Sequence, residues 1–137
     1  MTELRHILCV DDEEDILTII KLCLEMNGGF AVTCCRDGHE ALEQAAQLRP
    51  DLILLDVMMP GLDGPATFAE LRKRKNCRDI PVVFVTASVR RAETDEFLKL
   101  GASGLIRKPF DPATLCAEIE AIWRGVQEKR DRLESTP

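Results

Sequence analysis

Polar and apolar positions along this chain follow two rhythms. Short apolar runs of Val, Ile, Leu, Phe and Cys recur at residues 7–10, 30–35, 52–55, 81–85 and 104–106. Runs of that length without polar interruption suit strands covered on both faces, as in a parallel sheet. Between them lie longer amphipathic segments. Ile16, Ile20, Cys23 and Met26 keep helical spacing, and Gly28-Gly29 supplies a stop. Ala41, Leu42, Ala45 and Leu48 mark a second helix, closed before Pro50. Pro65 stands where a first helical turn tolerates proline, with Phe68 and Leu71 following on one face. Phe97 and Leu100 mark a fourth helix that ends at Gly101. Asp111 and Pro112 read as the N-cap and first residue of a fifth, whose apolar stripe is Leu115, Ile119, Ile122 and Val126. Strand and helix thus alternate five times. That order predicts an α/β fold: a doubly wound (βα)5 arrangement with one five-stranded parallel sheet and helices on both faces.

Composition narrows the picture. A chain of 137 residues favours one domain. Residues 1–126 carry the whole pattern, and residues 127–137 read as a charged tail that extends the last helix or begins a linker. Hydrophobic residues make up 45% and charged residues 31%, an ordinary balance for a globular domain. The net charge of −6 argues against direct binding of nucleic acid, which rests on Lys and Arg neutralising phosphates. The six cysteines form no CxxC pair, and His6 and His39 stand at no metal-ligand spacing, so buried free thiols are expected in a reducing compartment. No signal peptide pattern is visible, and no apolar run approaches the roughly 18 residues of a membrane span, so a cytoplasmic protein without membrane contact is expected.

In open α/β sheets, chemistry collects beyond the carboxyl ends of the strands. Here the first strand ends in Asp11-Asp12, the third in Asp56, the fourth in Thr86-Ala87 and the fifth in Lys108-Pro109. The second ends in Arg36-Asp37 and offers less. Each residue has a plain reading when taken alone. Asp11-Asp12 caps the following helix, Thr86 is a strand-end hydroxyl, and Lys108 is a solvated cation. Together they bring three carboxylates, a hydroxyl and an ammonium to one end of the sheet. Crowded carboxylates repel one another unless a cation relieves them, and hard oxygen donors with an incomplete shell suit Mg²⁺. A carboxylate can also attack phosphorus to give an aspartyl phosphate, with metal and lysine stabilising the transferring group. These parts make a phosphoryl acceptor more naturally than a hydrolase.

Four motifs carry a family resemblance: Val10-Asp11-Asp12, the stretch from Leu55-Asp56-Val57-Met58-Met59-Pro60 to Gly64, Val85-Thr86-Ala87, and Lys108-Pro109-Phe110. In this order, each after its own strand, they resemble the receiver domain of two-component response regulators, with a chemotaxis-regulator-like, flavodoxin-like fold. The resemblance covers residues 5–126. It implies that Asp56 is the phosphoacceptor, that Asp12 binds Mg²⁺ directly and Asp11 through water, and that the Met58 backbone carbonyl completes the protein ligands. It implies that Lys108 holds the phosphoryl group, that Thr86 moves toward it as the switch, and that the Lys108-Pro109 bond is cis. The implied donor is a sensor histidine kinase or a histidine phosphotransfer protein. The implied output is a downstream effector protein or an attached output domain, with a homodimer through the fourth and fifth helices as a further possibility.

The chain also departs from the family pattern. Leu105 stands three residues before Lys108, where many receivers carry Tyr or Phe as partner of the moving Thr. Met58 and Ser88 stand two residues after Asp56 and Thr86, positions that influence phosphoryl lifetime in relatives. Two other classes compete. An aspartyl phosphatase needs a second carboxylate two residues after its nucleophile, where this chain has Met58. A nucleotide or flavin binder needs a glycine-rich loop after the first strand, where this chain has Asp11-Asp12-Glu13-Glu14. An interaction module independent of phosphorylation, or a regulatory domain of a larger effector, is the remaining alternative.

Overall fold

A computed structural model describes residues 3–87 and 90–135. Five strands, β1 (His6–Val10), β2 (Ala31–Cys35), β3 (Leu52–Asp56), β4 (Val82–Thr86) and β5 (Gly104–Arg107), alternate with five helices. The helices are α1 (Glu14–Gly28), α2 (Gly38–Leu48), α3 (Gly64–Lys73), α4 (Arg91–Lys99) and α5 (Leu115–Ser135). The strands form one sheet in the order β2-β1-β3-β4-β5, all parallel. This is the flavodoxin-like (βα)5 arrangement.

Strand periodicity explains why the sheet carries two cores. Successive side chains of a strand point to opposite faces. Ile7, Cys9, Leu52, Leu54, Val83 and Val85 face α1 and α5, where they meet Leu17, Leu24, Leu115 and Ile119. Their neighbours Leu8, Val10, Ile53, Leu55, Val82 and Phe84 face the other way, toward Ala41, Leu42, Phe68 and Leu71 of α2 and α3. β3 and β4 are buried along their whole length. All six cysteines are free thiols, and Cys9, Cys23, Cys35 and Cys77 are buried as small apolar groups.

Local chemistry sets the helix ends. Asp63 caps α3 by accepting a hydrogen bond from the Ala66 N–H at 2.9 Å, and Pro65 occupies the first turn. Asp37 does the same for α2 through the Glu40 N–H at 2.7 Å. Gly29 ends α1 in the left-handed conformation with φ of 68°.

The inward faces of the helices differ in places from the spacing read in sequence: Leu48 of α2 is 41% exposed, and Leu100, which caps α4, is 54% exposed. α1 buries Leu17, Ile20, Cys23 and Leu24, while Met26 is 79% exposed. α5 runs from Leu115, and Asp111 caps the turn that leads into it: its Oδ1 accepts from the Ala113 N–H at 2.9 Å and its carbonyl from the Leu115 N–H at 3.0 Å, with Pro112 in the first turn as expected. Its stripe passes through Leu115, Ile119, Trp123 and Gln127, with Ile122 and Val126 only half-buried at its margin. α5 also continues without interruption past residue 126 to Ser135. None of the described helices is long and apolar enough to cross a membrane.

Candidate functional site

Parallel strands in one sheet bring their carboxyl ends to the same edge, so residues far apart in sequence become neighbours. Asp56 is the last residue of β3 and Thr86 the last of β4, each 5% exposed. Asp11 follows β1 and is 2% exposed. Lys108 follows β5, and its N–H donates to the Thr86 carbonyl at 2.8 Å, continuing the pairing of β5 with β4.

The side chains converge. Lys108 Nζ lies 2.8 Å from Asp11 Oδ2 and 3.2 Å from Asp56 Oδ1. One oxygen from each of Asp11, Asp12 and Asp56 falls within 4.8 Å of the others. Asp11 also serves the helix it precedes, since its Oδ1 accepts from the Glu13 N–H at 2.9 Å. Asp11 thus uses one oxygen in the turn that precedes α1 and the other on Lys108, while Glu13, the N-cap of α1, provides no side-chain cap.

Met58 lies just beyond β3 with its side chain 81% exposed. Ala87 is exposed beside the β4 end, and the Lys108-Pro109 peptide bond is cis. Leu105 is half-buried in the core under α2 and α3, where Phe97 of α4 also packs. Ser88 lies outside the described residues.

Electrostatics follow from this crowding. The Asp56 carboxyl is pushed up to about 6, first by burial and then by the charges of Asp11 and Asp12, which together outweigh the lowering by Lys108. For Lys108, burial works to lower the pKa. Its hydrogen bond to Asp11 and the charge of Asp56 more than offset burial, so the ammonium is held above its ordinary range. One ammonium among three carboxylates leaves the site short of positive charge. The donor set is all carboxylate oxygen and partly open at Asp12, which fits a hard divalent ion such as Mg²⁺.

Gly64 is a contributor whose sequence context reads only as a turn. A Cβ there would lie 2.3 Å from the Asp56 carbonyl oxygen and 2.8 Å from Val57 Cα. The start of α3 therefore presses directly on the backbone that carries Asp56, an approach that only glycine permits. The stretch Asp63-Gly64-Pro65 signals a turn in sequence, but nothing in it signals that the turn folds back onto β3.

Comparison with known proteins agrees with this architecture. The response regulator receiver domain model matches residues 7–120. The alkaline phosphatase synthesis transcriptional regulatory protein PhoP of Bacillus subtilis is 41% identical over 120 residues, covering 88% of this chain and 49% of the relative. The phosphate regulon transcriptional regulatory protein PhoB of Escherichia coli is 39% identical over 122 residues, covering 89% and 53%. This chain thus spans about half the length of the curated relatives it matches. Among solved structures, the chemotaxis protein CheY4 of Vibrio cholerae superposes with a TM-score of 0.80 at 29% identity, covering 88% of this chain and 99% of that one. The receiver domain of a signal transduction histidine kinase from Syntrophus aciditrophicus gives 0.76 at 32% identity, covering 89% and 92%. With similarity running from the first strand into the last helix, the chain belongs to the response regulator receiver domain family of two-component signalling.

Proposed function

We propose that this receiver is a phosphorylation switch whose acceptor is Asp56. The observation that carries the reading is the placement of Lys108 Nζ between Asp11 and Asp56, at 2.8 and 3.2 Å, beside a third carboxylate on Asp12. Asp12 would hold Mg²⁺ directly, Asp11 through water, with Asp56 and the Met58 backbone carbonyl completing the protein ligands. When bound, the metal offsets negative charge on the carboxylates and on the transferring phosphoryl group. An Asp56 carboxylate oxygen attacks phosphorus, the bond from phosphorus to the donor's imidazole nitrogen breaks, and the imidazole leaves to take a proton. Lys108 exchanges its contact with Asp56 for the incoming phosphoryl oxygens while its contact to Asp11 keeps it in place. The Thr86 hydroxyl, at the end of the adjacent strand, donates to the same oxygens. The chain catalyses only its own modification and its reversal.

The donor on this reading is a histidine kinase or histidine phosphotransfer protein, in the cytoplasm. The output is a changed surface around α4, β5 and α5, through which the domain meets an effector, an attached output domain or a second copy of itself. The relatives PhoP and PhoB are named transcriptional regulators and are about twice as long as the region they share with this chain, which favours a regulatory half working on an effector half.

Incubation with Mg²⁺ and acetyl phosphate, followed by intact mass measurement, tests the switch. The expected result is a gain of one phosphoryl group that disappears in Asp56→Asn and in EDTA. Absence of any gain together with absence of Mg²⁺ binding would overturn it in favour of an interaction module independent of phosphorylation.

A further inference from the structure

The end of the molecule away from Asp56 has the opposite charge character. Between Arg72 and Arg78 the chain places five basic residues and no acidic one. The segment leads from α3 to the start of β4, so it lies at the amino end of the sheet, about 17 Å from the phosphorylation end for five-residue strands. α5 runs back toward this end and carries Lys129 and Arg130 there. Together these segments line an open groove of about 700 Å³ that includes Arg72, Arg78, Lys129, Arg130 and Leu133.

Two of the guanidinium groups are fixed by other contacts. Arg72 lies over the Phe68 ring at 4.4 Å and donates through Nη1 to the Arg78 and Ile80 carbonyls at 2.8 and 3.1 Å. Arg130 lies 5.7 Å from the Trp123 ring centroid and donates through Nη2 to the Asp79 carbonyl at 3.2 Å. Each guanidinium has five N–H donors, so these bonds leave capacity for a ligand while fixing the cation in advance. Asp79 is the one carboxylate in the groove lining, and among the described residues none of the four cations forms an ion pair. Leu133, 69% exposed, adds an apolar wall beside the half-buried Val126.

We propose that this groove binds an acidic polypeptide segment of a partner protein, with carboxylates on Arg78, Lys129 and the two fixed guanidiniums and an apolar side chain against Leu133. The charge distribution favours a peptide over a nucleic acid. The whole chain carries −6, so everything outside the groove is more acidic still and repels an extended polyanion, whereas a short acidic segment meets only the basic end. The apolar wall likewise has use for a leucine and none for a phosphate backbone. The surface is separate from the acceptor site and does not depend on phosphorylation.

Trp123, the only tryptophan, sits beneath Arg130 and reports on the groove. The full chain is titrated with a short synthetic peptide alternating glutamate and leucine, followed by Trp123 fluorescence and by calorimetry. A glutamate–serine peptide and a duplex DNA serve as comparisons. Arg78 and Lys129 are exposed and their side chains hold no backbone group among the described residues, so Arg78→Glu/Lys129→Glu leaves the fold supported. The milder Arg78→Gln/Lys129→Gln takes its place if the melting temperature falls. The expected result is saturable binding that weakens with salt, weakens for the serine peptide, and drops roughly tenfold or more in the charge-reversed variant. Asp56→Asn binds as the wild type does. Absence of saturable binding, or equal binding by the charge-altered variants, overturns the proposal; tighter binding of the duplex transfers the groove to nucleic acid.

Discussion

Lys108 brings one positive charge to a space that holds three carboxylates, and Asp56 bears the consequence. Burial and the neighbouring carboxylates push its carboxyl up to about 6 from an ordinary value of 3.8. Between those values the folded state binds more protons than the unfolded one, so stability falls as pH rises from about 4 to about 6 and stays low above that. A rise of this size corresponds to at most about 3 kcal/mol, and solvent screening at the partly open site brings it lower. Asp56→Asn removes the buried charge and leaves Lys108 its bond to Asp11 at 2.8 Å. In EDTA at pH 8 the variant is expected to be more stable than wild type by on the order of 2 kcal/mol, with the gap closing near pH 4. Urea unfolding at the two pH values measures this, and a variant less stable than wild type at pH 8 would contradict the electrostatic account. The same crowding that gathers three carboxylates at the strand ends therefore weakens the fold.

The five helices are attached to very different degrees. α1 and α2 each bury four residues, and α5 buries Leu115, Ile119, Trp123 and Gln127. α4 buries none. Its apolar anchor is Phe97, half-buried, whose ring stands 5.0 Å from that of Phe84 in β4. Phe84 in turn meets Phe68 of α3 at 5.5 Å. Leu105 shares this core and presents no ring of its own. Low burial implies low free energy of local opening. Backbone amides of α4 are expected to exchange with deuterium well before those of α1, at a pH where the protein is folded. Equal protection of the two helices would show that α4 is held by more than Phe97. An element so loosely seated, next to the strand that ends in Thr86, is well placed to change position at small cost when contacts at that strand end change.

At the scale of the molecule, two cores share one sheet. Leu54 and Leu55 are neighbours in β3, 1% and 0% exposed, and they face opposite layers. Damage to either layer is felt by the same strand. Leu54→Ala and Leu55→Ala are each expected to cost about 2–5 kcal/mol. Each should also leave a single unfolding transition, in which far-ultraviolet dichroism and Trp123 fluorescence coincide. Separate transitions in either variant would mean that the layers unfold independently. Charge is distributed on this scale too. Asp11, Asp12 and Asp56 gather at one end of the strands, and Arg72, Arg78, Lys129 and Arg130 at the other.

Much of this was decided by the sequence alone, because its signals are local. Five apolar runs with helical segments between them dictate a parallel, doubly wound sheet, and the residue after each run dictates what reaches its carboxyl edge. The apolar stretch of β3 ending in Asp56 is legible without coordinates. The face of a helix is less so. In α1 the arc of Ile16, Ile20, Cys23 and Met26 overlaps one through Leu17 and Leu24, and packing buried Ile20 and Cys23 together with Leu17 and Leu24 while leaving Met26 outside. In α5 the buried stripe includes a polar residue, Gln127, which hydrophobic periodicity cannot recognise. What only the tertiary structure decided are quantities that depend on distance between separate segments. The raised pKa of Asp56 comes from burial and from residues on other strands. The pressure of Gly64 on the Asp56 carbonyl depends on how the following loop returns. The basic groove joins the segment between α3 and β4 to the end of α5. Periodicity reports which side chains want to be buried; it carries no information about which distant charges will share the same few ångströms.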